Sequence, residues 1–320
     1  MSTFPQELLA RVREEDLRRW VAEFSGFRHG RLNPEALEET GEHLIHLLTE
    51  LGLSAERRPF RYRGRTFFNV AASRPGHEDD QPALLVGAHY DGMAGTPGAD
   101  DNASGVAALL DVAKALSTTQ ISKPVEFVGF TLEEPQHRTD GRFRHGSRRF
   151  AKDAHRSGRK YAGVYILESV GYTDARFGSQ RVPLRAAVPV PDAGTFLCIV
   201  GNRRSRDLMW HFGKAAKDHV PELTTVSYQT PFSGRILPMT QWSDHAPFWD
   251  RGYPALMLTD TVPLRNPHYH QPTDTPDTLD YDFLTRVTRA LLAAILCFDV
   301  HCAEGQEWEE PPQTALGDFE

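Results

Sequence analysis

Three cysteines in 320 residues, Cys198, Cys297 and Cys302, are too few and too scattered for a disulfide framework, and no pair has CxxC spacing. A reducing compartment, the cytoplasm, is therefore expected. No apolar run approaches the roughly 18 residues of a membrane span. Residues 1–20 are rich in Arg and Glu and lack the apolar centre of a secretory signal. A basic excess is also missing. Lys and Arg number 36 against 43 Asp and Glu, a net charge of −7, which argues against a nucleic-acid partner. No internal repeat is visible. What is present is length, enough to bury roughly three quarters of the unfolded surface around a core that needs no staples.

Hydrophobic periodicity predicts helices over 5–24 and 34–51, where Pro5, Pro34 and Gly52 suit the ends. Residues 55–63 and 66–73 read as a hairpin around Gly64. Beyond a polar loop from Pro75 to Pro82, short apolar runs alternate with helical patterns. Strands are expected at 83–88, 125–132, 163–167, 196–200 and 255–258. Helices are expected at 104–116, 147–155, 204–218 and 281–300. Strands separated by helices indicate an α/β fold, a mostly parallel mixed sheet flanked by helices on both faces. With no convincing linker, residues 1–302 are expected to form one domain. Residues 303–320, with six acids and no base, read as a loosely held tail.

Chemistry gathers at the predicted strand ends. His89-X-Asp91 closes one apolar run, Glu133-Glu134 a second and Glu168 a third, while His270 opens a distant turn. Open α/β sheets place their sites at that edge. Two histidines and several carboxylates converging there suit a pair of zinc-like ions. Each feature has a plainer reading. A lone histidine at a strand end is more often structural, though the spacing to Asp91 lets that carboxylate take the second ring N–H. Asp100-Asp101-Asn102 before a helix could be only a turn and cap. Glu133-Glu134 is harder to dismiss, because adjacent carboxylates leaving a buried strand repel unless cations neutralise them. One of the pair would then be a ligand and the other a general base.

The blocks His89-Tyr-Asp91, Gly98-Ala-Asp-Asp-Asn-Ala-Ser-Gly105, Glu133-Glu-Pro135, Glu168-Ser-Val-Gly171, Ser243-Asp-His-Ala-Pro-Phe248 and Tyr269-His270 with Asp274 together resemble the double-zinc aminopeptidase family. Its relatives include glutaminyl cyclases and non-enzymatic transferrin-receptor-like proteins. The resemblance runs from about residue 35 to 300 and implies a zinc-exopeptidase fold. It implies that His89 and Glu168 hold one metal, that Glu134 and His270 hold the other, and that Asp101 bridges them. It makes Glu133 the general base and the Asp101–Asn102 peptide cis. Spacing alone does not choose Asp101 over Asp100, or His270 over His268.

The implied activity is hydrolysis of an N-terminal peptide bond in a peptide or aminoacyl substrate. Tyr269, beside a ligand, is the candidate hydrogen-bond donor to the oxyanion. Asp91 and Asp244 are expected to support the ligands from behind. A single-zinc cyclotransferase and a non-catalytic binding protein are the rivals. Contiguous Ser243-Asp244-His245 cannot easily form a relay and is read as pocket wall. The segment from Arg138 to Lys160 carries nine basic residues against two acids. It is expected either to rim the site and draw in acidic substrates or to be a solvated helix face. His137 and His145 within it are not expected to bind metal.

Overall fold

The computed structural model describes residues 6–76, 81–137, 143–183 and 189–303, with the side chains of 299–303 excepted. The acidic tail from 304 onward lies outside the described residues, as do Arg138 to Arg142. Helix α1 (Gln6–Leu9) and α2 (Glu14–Phe24) occupy the region expected as one helix. The break has a local cause: Arg13 is extended and donates its amide to the buried carboxylate of Asp111. In α2, Leu17, Trp20, Val21 and Phe24 recur on one face and are buried, as an amphipathic helix on a core requires. Helix α3 spans Pro34–Glu50 with its proline in the first turn.

The hairpin is β1 (Ser54–Tyr62) and β2 (Arg65–Arg74). Then come β3 (Ala83–His89), α4 (Gly105–Ser117), β4 (Val125–Phe130), α5 (His145–Arg156) and β5 (Tyr161–Glu168). The rest is β6 (Leu197–Gly201), α6 (Arg206–His219), β7 (Thr225–Gln229), α7 (Ala246–Trp249), β8 (Ala255–Thr259) and α8 (Tyr281–Ala303). Two of these, β7 and α7, are absent from the sequence-based reading. In β7 every residue is only half-buried and only Val226 and Tyr228 are apolar, so the alternation is faint.

All eight strands form one sheet in the order β1-β2-β4-β3-β5-β8-β6-β7. Its centre, β4-β3-β5-β8, is parallel. The hairpin joins one side antiparallel, and β6 joins β8 antiparallel at the other, carrying β7 parallel to itself. Every residue of β3, β4 and β8 is buried, which is why those strands read as unbroken apolar runs. The larger core joins one face to α2, α3, α4, α6 and α8. A smaller one, with Phe150, Phe248 and Trp249, joins α5 and α7 to the other face. Helix α4 is buried almost all round, as its position between sheet and outer helices demands. Because β3, β4 and β5 run the same way, their C-terminal ends deliver His89, the loop to Glu133-Glu134, and Glu168 to one edge.

Candidate metal centre

Five side chains converge at that edge in two groups. His89, Asp101 and Glu168 form one, and Asp101, Glu134 and His270 the other, with ligand atoms in each group within 4.8 Å of one another. Asp101 belongs to both. Its Oδ1 lies 3.1 Å from His89 Nε2 and its Oδ2 lies 3.0 Å from His270 Nε2. Glu168 Oε1 is 3.5 Å from His89 Nε2, and Glu134 Oε1 is 3.1 Å from His270 Nε2. His89 Nε2, Asp101 Oδ1 and Glu134 Oε1 are buried and have no hydrogen-bond partner. Buried polar atoms are nearly always satisfied, so a cluster of orphans aimed at common points fits residues that hold cations. The donor set, imidazole nitrogen with carboxylate oxygen at three protein ligands per point, suits zinc and leaves room for water.

Local backbone geometry turns these side chains inward. Leu132, immediately before Glu133, Ser169, immediately after Glu168, and His270 itself all have left-handed φ, at 54°, 50° and 58°. Such conformations persist in non-glycine residues only where the surroundings impose them, and they gather at functional sites. The Asp101–Asn102 peptide is cis. Asn102 then docks on the end of β5, donating to the Leu167 carbonyl and accepting the Ser169 amide. The Asp274 carboxylate accepts the amides of Asp100 and Asp101. Asp100 turns away and accepts from the Gly171 amide and Asn266. This is the choice that spacing left open: Asp101 faces the histidines and Asp100 does not. Likewise His268 contacts Thr273 while His270 joins the cluster.

Asp91 differs in detail from its expected part. His89 Nδ1 lies 3.1 Å from the Asp91 main-chain carbonyl and 3.6 Å from its carboxylate. The carboxylate instead accepts the consecutive amides of Glu133 and Glu134, holding that pair in place. Ser243 Oγ donates to Glu168 Oε2 at 2.5 Å. His245 points elsewhere, to the Thr240 carbonyl, and burial drives its pKa down to about 3, so it is neutral. No relay exists among the three. Asp244 is fully buried with both oxygens unpartnered. The Tyr269 ring stacks on His270 at 3.8 Å between centroids. Burial and then Asp101, Glu134, Glu168 and Glu133 push its phenol well above the usual value, which keeps it a proton donor.

Of the two readings of the basic segment, the described residues 143–160 fit the solvated helix face. Arg138 to Arg142 lie outside the described residues, so Arg142 contributes no observation. Arg144 is buried and donates to the main-chain carbonyls of Gln241 and Ser243, facing Glu133 and Asp244. Proximity in sequence to Glu134 brought it near the site, but as an internal brace. Arg148 and Arg149 are exposed on α5, as on a solvated helix face. His145 packs on Tyr62, and neither it nor His137 joins the two groups.

In the metal-free protein burial raises the proton affinity of several of the crowded acids. Burial, and then the charge of Asp101, raises Glu134 to about 7. Burial raises Asp244 and Asp274 to about 7 as well. His270 rises to about 11, because Glu134 and Asp101 outweigh the burial that would lower it. Asp101 is held well below the carboxylate range: burial opposes this, but His270 and His89 prevail. Unfolded carboxylates titrate near 4 and histidine near 6.5. The three raised acids therefore bind more protons when folded, and their contribution is lost as pH climbs from roughly 4 through about 7. The His270 contribution is present below about 6.5 and fades towards 11. That of Asp101 has the opposite sign but acts only below roughly pH 4. Chelated protein is thus expected to melt several degrees lower at pH 8 than at pH 5.5, with zinc restoring Tm most strongly at pH 8. Calorimetry at both pH values checks this, and a chelated Tm that rises with pH would contradict it.

Comparison with known proteins adds a family. The profile described as peptidase family M28 matches residues 69–295. The chain is 31% identical over 272 residues to the protein YfbL of Escherichia coli (strain K12), covering 82% of this chain and 81% of that one. Two solved structures share the fold. Legionella pneumophila LapA aminopeptidase gives a TM-score of 0.70 at 17% identity, over 92% of this chain and 74% of that one. Porphyromonas gingivalis glutaminyl cyclase gives 0.65 at 18% identity, over 91% and 98%.

Proposed function

The chain belongs to peptidase family M28, and from that premise we propose that it is an aminopeptidase using two zinc ions and Glu133 as general base. The observation that carries the reading is the shared carboxylate: Asp101 directs one oxygen to each ligand group. His89 and Glu168 complete one position, and Glu134 and His270 the other. Two zinc ions held there would supply Lewis acidity and would lower the pKa of a water towards neutrality.

The protein's own groups do the rest. Glu133 belongs to neither ligand group, and its Oε1 is buried and unpartnered beside them. Burial, and then Glu168, Asp244 and Glu134, raise its proton affinity well above that of an ordinary carboxylate, although His89 opposes this. It can therefore accept the proton of the attacking water and deliver it to the leaving amine. Tyr269 donates to the oxyanion as the carbonyl becomes tetrahedral. The surrounding acids hold the substrate's free α-ammonium, which restricts cleavage to chain ends. An apolar cavity of ≈ 100 Å³ is lined by Phe196, Cys198, Tyr228, Met239, Met257 and Thr259. Thr259 is the partner of Glu168 in the sheet, and the cavity's lining suits an apolar side chain.

The glutaminyl cyclase neighbour has a comparable TM-score, so a cyclotransferase is the second reading. Zinc-loaded protein given amino-acid amides, dipeptides and N-terminal glutaminyl peptides separates the two. Free amino acid is the expected product, most from apolar N-terminal residues. Pyroglutamate without released amino acid would establish the cyclase instead.

A further inference from the structure

The loop between α2 and α3 precedes the matched region of the family, 69–295, and holds none of the five ligand candidates. Yet it touches three of the segments that carry them. Arg28 is buried, and among the described residues its four hydrogen bonds all go to main-chain carbonyls. Nε donates to Tyr90 at 2.8 Å, Nη1 to Gly26 at 2.8 Å and Pro97 at 2.7 Å, and Nη2 to Gly98 at 2.9 Å. Tyr90 follows His89, and Gly98 stands three residues before Asp101. In return the Arg28 carbonyl accepts the Gly92 amide, and the Gly26 amide donates to Pro97.

The next residues reach the third segment. His29 Nε2 contacts the Pro135 carbonyl at 3.3 Å, while its Nδ1 lies in reach of the Arg31 and Leu32 amides. Arg31 Nε donates to the Gln136 carbonyl. Both carbonyls lie just beyond Glu134. The fit is tight: a Cβ on Gly30 would fall 2.3 Å from Leu132 Cδ2 and 2.7 Å from Gln136 Oε1. Asn33 braces the loop, donating its side chain to the Phe27 carbonyl.

The choice of carbonyl partners matters. A guanidinium paired with Asp101 or Glu134 would occupy an oxygen that a metal needs. One bonded only to carbonyls fixes the main chain and leaves every ligand oxygen free, while its charge still acts through space on Asp91, Asp101, Asp274 and Glu134. Metal sites tolerate errors of only a few tenths of an ångström in ligand position. From this geometry the structure assigns residues 26–32, centred on Arg28, as a clamp that sets the spacing of the His89, Asp101 and Glu134 segments. Arg28 is a positioning residue, acting through the backbone of the ligands. The inference rests on the two-ion reading above.

Cobalt(II) is the probe, because its visible absorption reports coordination geometry independently of activity. Full-length wild type, Arg28→Lys and Gly30→Ala are titrated with Co²⁺ against a competing chelator. Glu126→Gln serves as the control, since it removes the carboxylate bonded to Tyr161 and Arg159 near the start of β4, away from the ligand-bearing ends. Loss of support behind a ligand typically weakens metal binding by about 10- to 100-fold. Both loop variants are expected to hold Co²⁺ at least ~10-fold less tightly and to show a changed spectrum, whereas Glu126→Gln lowers Tm and leaves both unchanged. Gly30→Ala removes no donor and no charge, so it carries the test if Arg28→Lys does not fold. Wild-type affinity and spectrum in the loop variants would overturn the clamp, as would equal weakening in Glu126→Gln. A wild-type chain that binds no Co²⁺ overturns the two-ion reading itself.

Discussion

Glu133→Gln is expected to lower kcat by at least ~10²-fold while both metal equivalents stay bound. The substitution keeps the size and shape of the side chain and removes only its capacity to accept a proton. General-base contributions commonly amount to 10²–10⁴-fold. The ligand groups do not include Glu133, so metal content and the cobalt spectrum should change little. Because the lost interaction forms only in the transition state, kcat and kcat/KM should fall together with KM nearly constant. Metal analysis beside single-turnover kinetics on the same preparation checks the split. Near-wild-type turnover would show that Glu133 is not the base, and loss of metal would exchange its role with that of Glu134.

The second large effect is expected at Asp101. Asp101→Ala removes one oxygen from each ligand group, so both positions should lose affinity together. His89→Ala and His270→Ala should each weaken one position only. Metal assistance supplies several kcal/mol of transition-state stabilisation. At about 1.36 kcal/mol per decade, its loss corresponds to roughly 10³-fold or more in kcat/KM. Equilibrium dialysis with zinc, giving equivalents bound per chain, distinguishes the three variants. Two tightly held equivalents in Asp101→Ala would rule out a bridging role.

Much of the site could be read from the chain because its signals are local. A carboxylate or imidazole at the last residue of a buried run is visible in one dimension, and His89, Glu133-Glu134 and Glu168 all announce themselves so. The Gly98–Gly105 block became informative only beside the family resemblance, since by itself it reads equally well as a turn and cap. Arg28 had no signal. It is one arginine in an unremarkable loop, and its partners Tyr90, Pro97 and Gly98 lie 62 to 70 residues away. Asp274 gives its carboxylate to amides 173 and 174 residues away. The burial of Arg144 was not legible for the converse reason. Charge density in sequence suggests an exposed rim, whereas burial depends on what covers the residue, here the main chain of Gln241 and Ser243.

Local pattern in the chain was thus enough for most of the strand and helix order, β7, α7 and the break between α1 and α2 excepted, for a mostly parallel sheet and for the residues at its C-terminal edge. Periodicity and side-chain chemistry are properties of neighbouring residues and need no third dimension. The fold was needed to show, independently of the family resemblance, that Asp101 faces the histidines and Asp100 does not, and which main-chain groups Arg28 and Asp274 hold. It also decided which arginines carry surface charge. These are settled by hydrogen bonds between main-chain groups far apart in the chain, whose geometry no local pattern encodes.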